Sequence, residues 1–558
     1  MLERYCTEYW EYVLKHSPTF ATYIGDHRYN DALEDLSEAS IRAENDYFKK
    51  LLASVEEIDS SSLPAEEKIN HHLLRKTLDN HIRFYKFGTH YIPINHLQGP
   101  HLDFPQIIEF HPFKTTQDFE QFTARLKAFS RQTDQVIELL QTGIKKNISA
   151  FRKSMKHVME QVEMFARHTP EESPLYQPIS RMGDGFSDSE KDEISTMVRD
   201  AISVSVIPAY QRLHEYLKTE YMSQSREQEG IWSLPDGVDL YRFYVQYHTS
   251  TDLSPEEIHE LGIREVRIIE DEIKTIMGQI GFNGSVREFS AYLKKKKDLY
   301  PETGQEILDA YREVLSHMDE RLPEYFGRLP KAVYAVKAIE HYREKTAPAA
   351  YYYPPPRDFS RPGYFYANTY KPEQRPKYEM EALSYHEAVP GHHLQVAIMQ
   401  ELEHIPDFRR HGGSTAFIEG WALYAEKLSQ EMGFYRDHYA EYGRLSFGLW
   451  RAVRLVVDTG LHFFQWGREK AIQYCQENTG LEDHEIEIEV DRYIAIPGQA
   501  LSYKMGELKM LELRDKAQNV LGSRFNIRKF HDGLLEHGAL PLDMLEEIMQ
   551  AWIEKEVS

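Results

Sequence analysis

A mainly α fold is what this 558-residue chain predicts, on three observations. Segments 35–52 and 117–129 space their apolar residues three and four apart, the period of a helix with one buried face. Ser254 with Glu257, and Ser285 with Glu288, have the spacing of capping boxes, in which paired side chains satisfy the free amides at a helix start. The contrasting stretch, 349–370, is rich in tyrosine and broken by proline, so it reads as short extended segments.

Taken in order, the first two hundred residues alternate helical patterns with polar breaks. Residues 91–105 form a Pro/Gly-punctuated loop that carries His96 and His101. A second block opens near residue 230, where Pro255 takes the first helical position and its missing N–H costs nothing. The run Lys294 to Lys297 closes an amphipathic segment and reads as a solvated helix end. No Gly/Ser-rich linker or fixed-period repeat interrupts the chain, so two regions are expected. These are a helical region, 1–230, forming part of a groove, and a catalytic region, 231–558.

The formal charge of −23, from 66 basic and 89 acidic residues, argues against nucleic acid, which needs a basic surface. Two cysteines, Cys6 and Cys475, cannot staple a fold of this size and fit a reducing compartment. Glu3, Arg4, Glu8, Glu11 and Lys15 leave no apolar signal core, and no run is long enough to cross a bilayer. A cytoplasmic location without membrane contact is expected; the oligomeric state is left open, a homodimer included.

Residues 384–395, SerTyrHisGluAlaValProGlyHisHisLeuGln, hold three imidazoles and a carboxylate within eight positions. Neutral imidazole is a favoured zinc ligand, and a glutamate beside the first ligand suits the base that deprotonates water. His386 and Glu387 look like the first half of an HExxH pattern, but four positions on stands Pro390, followed by Gly391. On a straight helix His393 returns to the face of His386 about 10 Å away, while His392 is turned by roughly 240°. Proline makes a straight ladder through this point unfavourable. A kink that loops out two residues returns His392 to the ligand position; His392 is favoured, with His393 as the alternative. Glu419 follows 33 residues after His386 in an apolar setting of Phe417, Trp421 and Leu423, and a buried carboxylate there needs a cation. Glu426, two turns on, suits a partner that orients a ligand histidine or a solvated helix glutamate.

The segments HisGluAlaValProGlyHisHisLeuGln and GluGlyTrpAlaLeuTyrAlaGlu resemble those of the DUF885 family, a mostly bacterial group placed among the gluzincin metallopeptidases. The resemblance continues in ThrAspLeuSerProGluGluIleHisGluLeuGly (251–262), ArgProGlyTyrPheTyrAlaAsn (361–368), AspThrGlyLeuHis (458–462) and ArgTyrIleAlaIleProGlyGlnAlaLeuSerTyrLysMetGly (492–506). It implies a largely helical, zincin-like metallopeptidase with a substrate groove and a short edge β segment before the metal-binding helix.

Such an edge pairs with extended substrate backbone, and Gly363 to Asn368 is placed for that role, bringing Tyr366 and Asn368 to the substrate. Tyr503, His462, Arg492 and Tyr493 are candidates to stabilise an oxyanion, Tyr503 foremost and His462 next. Arg492, with Tyr493 beside it, could instead hold a substrate carboxylate, a task for which Arg451 and Arg454 compete. The expected function is a Zn2+-dependent metallopeptidase on peptide or peptide-like substrates, of carboxypeptidase or dipeptidase type. His386, His392 and Glu419 hold the metal and Glu387 is the general base. A zinc amidase or esterase on small molecules, or a non-catalytic peptide-binding module, are the alternatives.

Overall fold

The computed structural model describes residues 1–339, 344, 347–356, 359 and 361–557. Residues 357, 358 and 360 of the tyrosine-rich stretch lie outside the described residues. Two compact units form, and the chain is mainly helical. The first takes in Met1–Glu229, Ser233–Gly237 and Pro406–Phe408; the second Gly230–Trp232, Val238–Ile405 and Arg409–Ser558.

In the first unit, segment 35–52 lies in the helix Glu38–Glu56, which starts at a Ser37 cap and buries Phe48, Leu51 and Val55 along one face. That face joins a cluster with Leu74 and Leu78 of the helix Ala65–Phe87. Segment 117–129 lies in the helix Thr116–Lys145, opened by a Thr115–Asp118 capping box. Phe119, Phe122, Leu126 and Phe129 enter a second cluster with Val158 and Ile202. The expected loop ends early: Pro100 occupies the first position of a short helix, Pro100–Gln106, on which His101 is buried.

Arg125 ties these layers together from a fully buried position. It donates to the carbonyls of Ala32 (2.8 Å), Pro18 (2.9 Å) and Tyr29 (3.0 Å) and to the Thr22 hydroxyl (2.7 Å). Burial lowers its pKa to about 10, which leaves it charged at neutral pH and dependent on those oxygens.

The second unit holds the sheet and the helices that follow it. Both expected capping boxes form, at the starts of Pro255–Ile280 and Val286–Leu293. The strands are β1 (Tyr334–Ala338), β2 (Ala350–Tyr353) and β3 (Gly363–Ala367), in the order β1-β3-β2, with β1 parallel and β2 antiparallel to β3. The expectation for Gly363 to Asn368 is therefore corrected: β3 is the central strand, its ladder filled on both sides. β2 is an edge strand. After the sheet come α1 (Lys377–Glu387), α2 (His392–Gln400), α3 (Thr415–Glu431), α4 (His438–His462), α5 (Asp483–Ala495) and α6 (Ser502–Leu521). No helix among the described residues is long and apolar enough to cross a membrane.

Replacing the buried guanidinium should strand several carbonyls at once. Arg125→Leu is expected to cost about 3 kcal/mol or more of stability, read as a lower denaturant midpoint; an unchanged midpoint would show that the carbonyls find other donors.

Candidate metal centre

α1 stops at Glu387, and the chain passes through Ala388, Val389, Pro390 and Gly391 before α2 begins at His392. Gly391 lies so close to the end of α1 that a Cβ there would overlap the carbonyl oxygens of Tyr385 and His386. The indole N–H of Trp421, fully buried on α3, donates to the Pro390 carbonyl at 2.9 Å and holds the loop in place. This tight return brings His392 back beside His386, with ring centroids 4.8 Å apart and planes at 86°.

Glu419 reaches the same point from α3. Its Oε2 lies 3.8 Å from His386 Nε2 and 3.5 Å from His392 Nε2. Among the described residues, these three form a group of ligand atoms, all within 4.8 Å of one another, that could hold a metal ion. Zinc binds nitrogen and carboxylate oxygen at about 2.0–2.2 Å, so corners of a tetrahedral site sit about 3.3–3.6 Å apart. The His392–Glu419 separation falls in that range and the His386–Glu419 separation lies about 0.2 Å above it, and the donor set suits zinc.

Glu426 fixes the tautomer. Its Oε1 lies 2.7 Å from His386 Nδ1, so the ring donates there and turns Nε2 toward Glu419. Burial opposes an imidazolium at His386, but the neighbouring Glu419 and Glu426 carboxylates outweigh it and raise its pKa to about 10. Burial would raise Glu419, yet the neighbouring His386 and His392 imidazoles hold it well below the usual carboxylate range. Both shifts state one fact: the cluster attracts positive charge, which protons or a metal cation can supply.

Glu387 stands beside this cluster with Oε2 accepting the Tyr352 backbone N–H at 2.9 Å. In the antiparallel register, Tyr351 and Tyr353 face the β3 ladder, so the Tyr352 amide points off the free edge of β2 toward α1. Sequence reasoning missed this donor, although the prolines after Tyr353 mark an edge strand.

Tyr503 comes from α6. α3 and α6 cross with Gly420 against Gly506, where a Cβ on either would strike the other helix's backbone. The crossing sets the Tyr503 ring nearly parallel to that of His386, 6.5 Å away and tilted by 16°. Arg454 covers the Tyr503 ring at 4.6 Å, and Arg492 Nη2 lies 3.3 Å from its hydroxyl.

Five other expected site residues are engaged with partners outside the cluster. His462 spends both ring nitrogens on backbone, accepting from Ile231 N–H at 3.2 Å and donating to the Tyr493 carbonyl at 3.0 Å, and it is fully buried. Its task is structural. The Tyr493 hydroxyl accepts from Trp450 (3.0 Å) and Arg454 (3.2 Å), deep in the same interior. Asn368 is buried and its amide binds the carbonyls of Glu344, Ala347 and Pro348, which shapes the turn into β2. Tyr366 lies on the central strand and stacks on Tyr351 at 5.0 Å. His393, the alternative ligand, points away from the cluster: Nδ1 meets the Tyr352 hydroxyl at 2.9 Å and Nε2 the Ala332 carbonyl at 3.1 Å. Arg492 remains beside Tyr503, half-buried, and contacts Glu489 and Gln499.

A mainly helical chain with a His–His–Glu cluster at a proline-interrupted helix is thus the class that fold and site define. The chain belongs to the DUF885 family, described as "Bacterial protein of unknown function (DUF885)", whose model matches residues 18–549. No curated protein matches it. Among solved structures it is similar to a "putative lipoprotein" of Colwellia psychrerythraea, at 28% identity and a TM-score of 0.94, over 99% of each chain. A "putative lipoprotein of unknown function" from Shewanella oneidensis is 19% identical with a TM-score of 0.76, over 99% of this chain and 100% of that one. At that identity the likeness concerns the fold alone.

Glu426→Gln should weaken zinc binding roughly 10–100-fold, because the amide cannot supply the charge that orients His386; titration against a chelator measures it. Asp458, fully buried on α4, accepts from Tyr241 O–H (2.6 Å) and Gly498 N–H (3.1 Å), and burial raises its pKa to about 7. A carboxyl raised in the fold stabilises it below the unfolded pKa, and that contribution is lost as pH rises through the folded one. Relative to Asp458→Asn, the protein should therefore lose stability between about pH 4 and 7, by about 4 kcal/mol at most, in denaturant unfolding at each pH.

Proposed function

We propose that the protein is a zinc-dependent hydrolase of peptide bonds, of the zincin-like type. The observation that carries this reading is the convergence of the ligand atoms of His386, His392 and Glu419 within 4.8 Å of one another, with Glu387 next in sequence to the first of them. These three side chains would hold the metal. When bound, zinc supplies a Lewis acid for a carbonyl oxygen and makes water more acidic.

The remaining steps belong to the chain. Glu387, anchored through Oε2 by the Tyr352 amide, keeps Oε1 to take a proton from the attacking water. As the water oxygen bonds to the carbonyl carbon, negative charge grows on the carbonyl oxygen. The Tyr503 hydroxyl, oriented by Arg492 and Arg454, donates to it. Glu387 then passes its proton to the amine nitrogen as the C–N bond breaks.

Partial exposure supports access: the Glu419 side chain is 19% and the His392 side chain 13% accessible, against 4% for His386. Peptide substrates are favoured over small amides because β2 runs beside Glu387, its Tyr352 amide held by that carboxylate, and gives extended backbone a strand to lie along. For location, the free, buried cysteines Cys6 and Cys475 support a reducing compartment. The word lipoprotein belongs to the two similar structures, and cell fractionation decides between cytoplasm and envelope.

Purified protein is expected to carry about one zinc per chain by plasma mass spectrometry, as a single three-ligand site requires. Glu387→Gln should keep the zinc and lose at least about 100-fold in turnover of a peptide pool; Glu419→Ala should lose both. Normal turnover by Glu387→Gln would sink this mechanism.

A further inference from the structure

Positive charge collects beside Tyr503 beyond what orienting one phenol requires. Arg451 and Arg454 stand one turn apart on α4, with guanidiniums 4.9 and 4.3 Å from the Trp450 ring. Arg492 joins them from α5 through the Tyr503 hydroxyl. Among the described residues two carboxylates lie within 4.0 Å of these three cations, with Glu419 and Glu379 acting on Arg451 from farther off. Glu489 lies 3.1 Å from Arg454 and 3.4 Å from Arg492. Glu426 is committed to His386 at 2.7 Å, and Arg451 approaches it only to 4.0 Å.

Arg451 is the least satisfied of the three. Only 6% exposed, it has a buried Nε with no hydrogen-bond partner among the described residues, and its Nη1 reaches just the Phe447 carbonyl of its own helix, at 3.4 Å. Arg454, 2% exposed, has a buried Nη1 in the same condition. Guanidinium stays charged inside a protein, so an incomplete set of acceptors around a buried pair leaves strong binding capacity unused. A carboxylate, planar and twice-accepting, fits those donors. Trp450 and Arg492, at the margin of the cluster, are part-exposed.

We propose that Arg451, Arg454 and Arg492 form a receptor for a substrate carboxylate, that of the peptide C-terminus, so that the hydrolase removes residues from the C-terminal end. The inference rests on the hydrolytic reading for the position of the bond cleaved. A carboxylate from an Asp or Glu side chain has the same chemistry, and the experiment separates the two sources.

Zinc-loaded full-length protein is incubated with three mixed-sequence tetrapeptide pools, and products are read by mass spectrometry. One pool ends in a free acid, the second is its C-terminal amide without acidic residues, and the third is amidated and contains Asp or Glu. Cleavage of the free-acid pool at least tenfold faster than either amide supports the C-terminal receptor. Cleavage of the third pool beside its acidic residues, at the rate of the first, overturns the assignment to the chain end. Equal cleavage of all three overturns the receptor and leaves hydrolysis standing. Failure to cut any pool overturns the hydrolytic reading instead. The receptor is then decided by retention of the pools on zinc-loaded Glu387→Gln protein in ultrafiltration. Free-acid peptides held over amides, with the preference reduced at least tenfold by Arg451→Gln or by the more exposed Arg492→Gln, support it; no preference overturns it.

Discussion

The contact of Gly391 with the last turn of α1 sets the geometry on which the rest of the centre depends. A proline four residues after His386 cannot continue the hydrogen-bond ladder, so the helix has to end there. The chain nevertheless places a second imidazole against the first within six residues, which leaves no room for a loop that swings outward. It folds back against the Tyr385 and His386 carbonyls, and only a residue without Cβ allows that approach. The indole of Trp421 then closes the turn from α3. Since Trp421 lies two residues after Glu419, the clamp on the loop and the third candidate ligand ride on the same helical turn.

Around that turn, charges alternate in sign with distance from the cluster. Glu419 faces His386 and His392, Glu426 backs His386, and Arg451 stands behind Glu426. Each group is buried or nearly so, so each depends on its neighbour of opposite charge to offset the cost of leaving water. The series runs from the reactive end past Glu426 to the arginine of α4. Arg454 and Arg492 add to its far end, where they also hold Tyr503. One electrostatic chain therefore orients a ligand histidine, a hydroxyl donor and the proposed carboxylate receptor.

How much of this was legible in the sequence depended on whether chemistry or position carried the signal. His386, Glu387 and Glu419 stood out because their residue types and local company suit few other tasks. Capping boxes at Ser254 and Ser285 were equally plain, since both partners lie within three residues. Choosing between His392 and His393 needed the path of the Pro390–Gly391 turn, which spacing alone does not define. Misassignments clustered among polar residues of the interior. His462 and Tyr493 carry groups fit for catalysis, yet they satisfy backbone and guanidinium partners between helices far apart in sequence. A sequence gives no measure of that.

The sheet shows the same limit from the other side. Short extended segments read from one aromatic stretch give no strand order, β1 lies before that stretch, and a strand near the metal helix in sequence was taken to be the exposed one. In the structure β3 is enclosed because β1 and β2 both need its ladder, and the strand with a free edge is the one followed by prolines. The consequence reaches the centre directly. An outward amide of β2 holds Glu387, and the side chain of that same residue, Tyr352, holds His393 turned away from the cluster. One edge residue thus separates the two adjacent histidines by function, freeing His392 for the cluster while His393 serves the packing beneath the sheet.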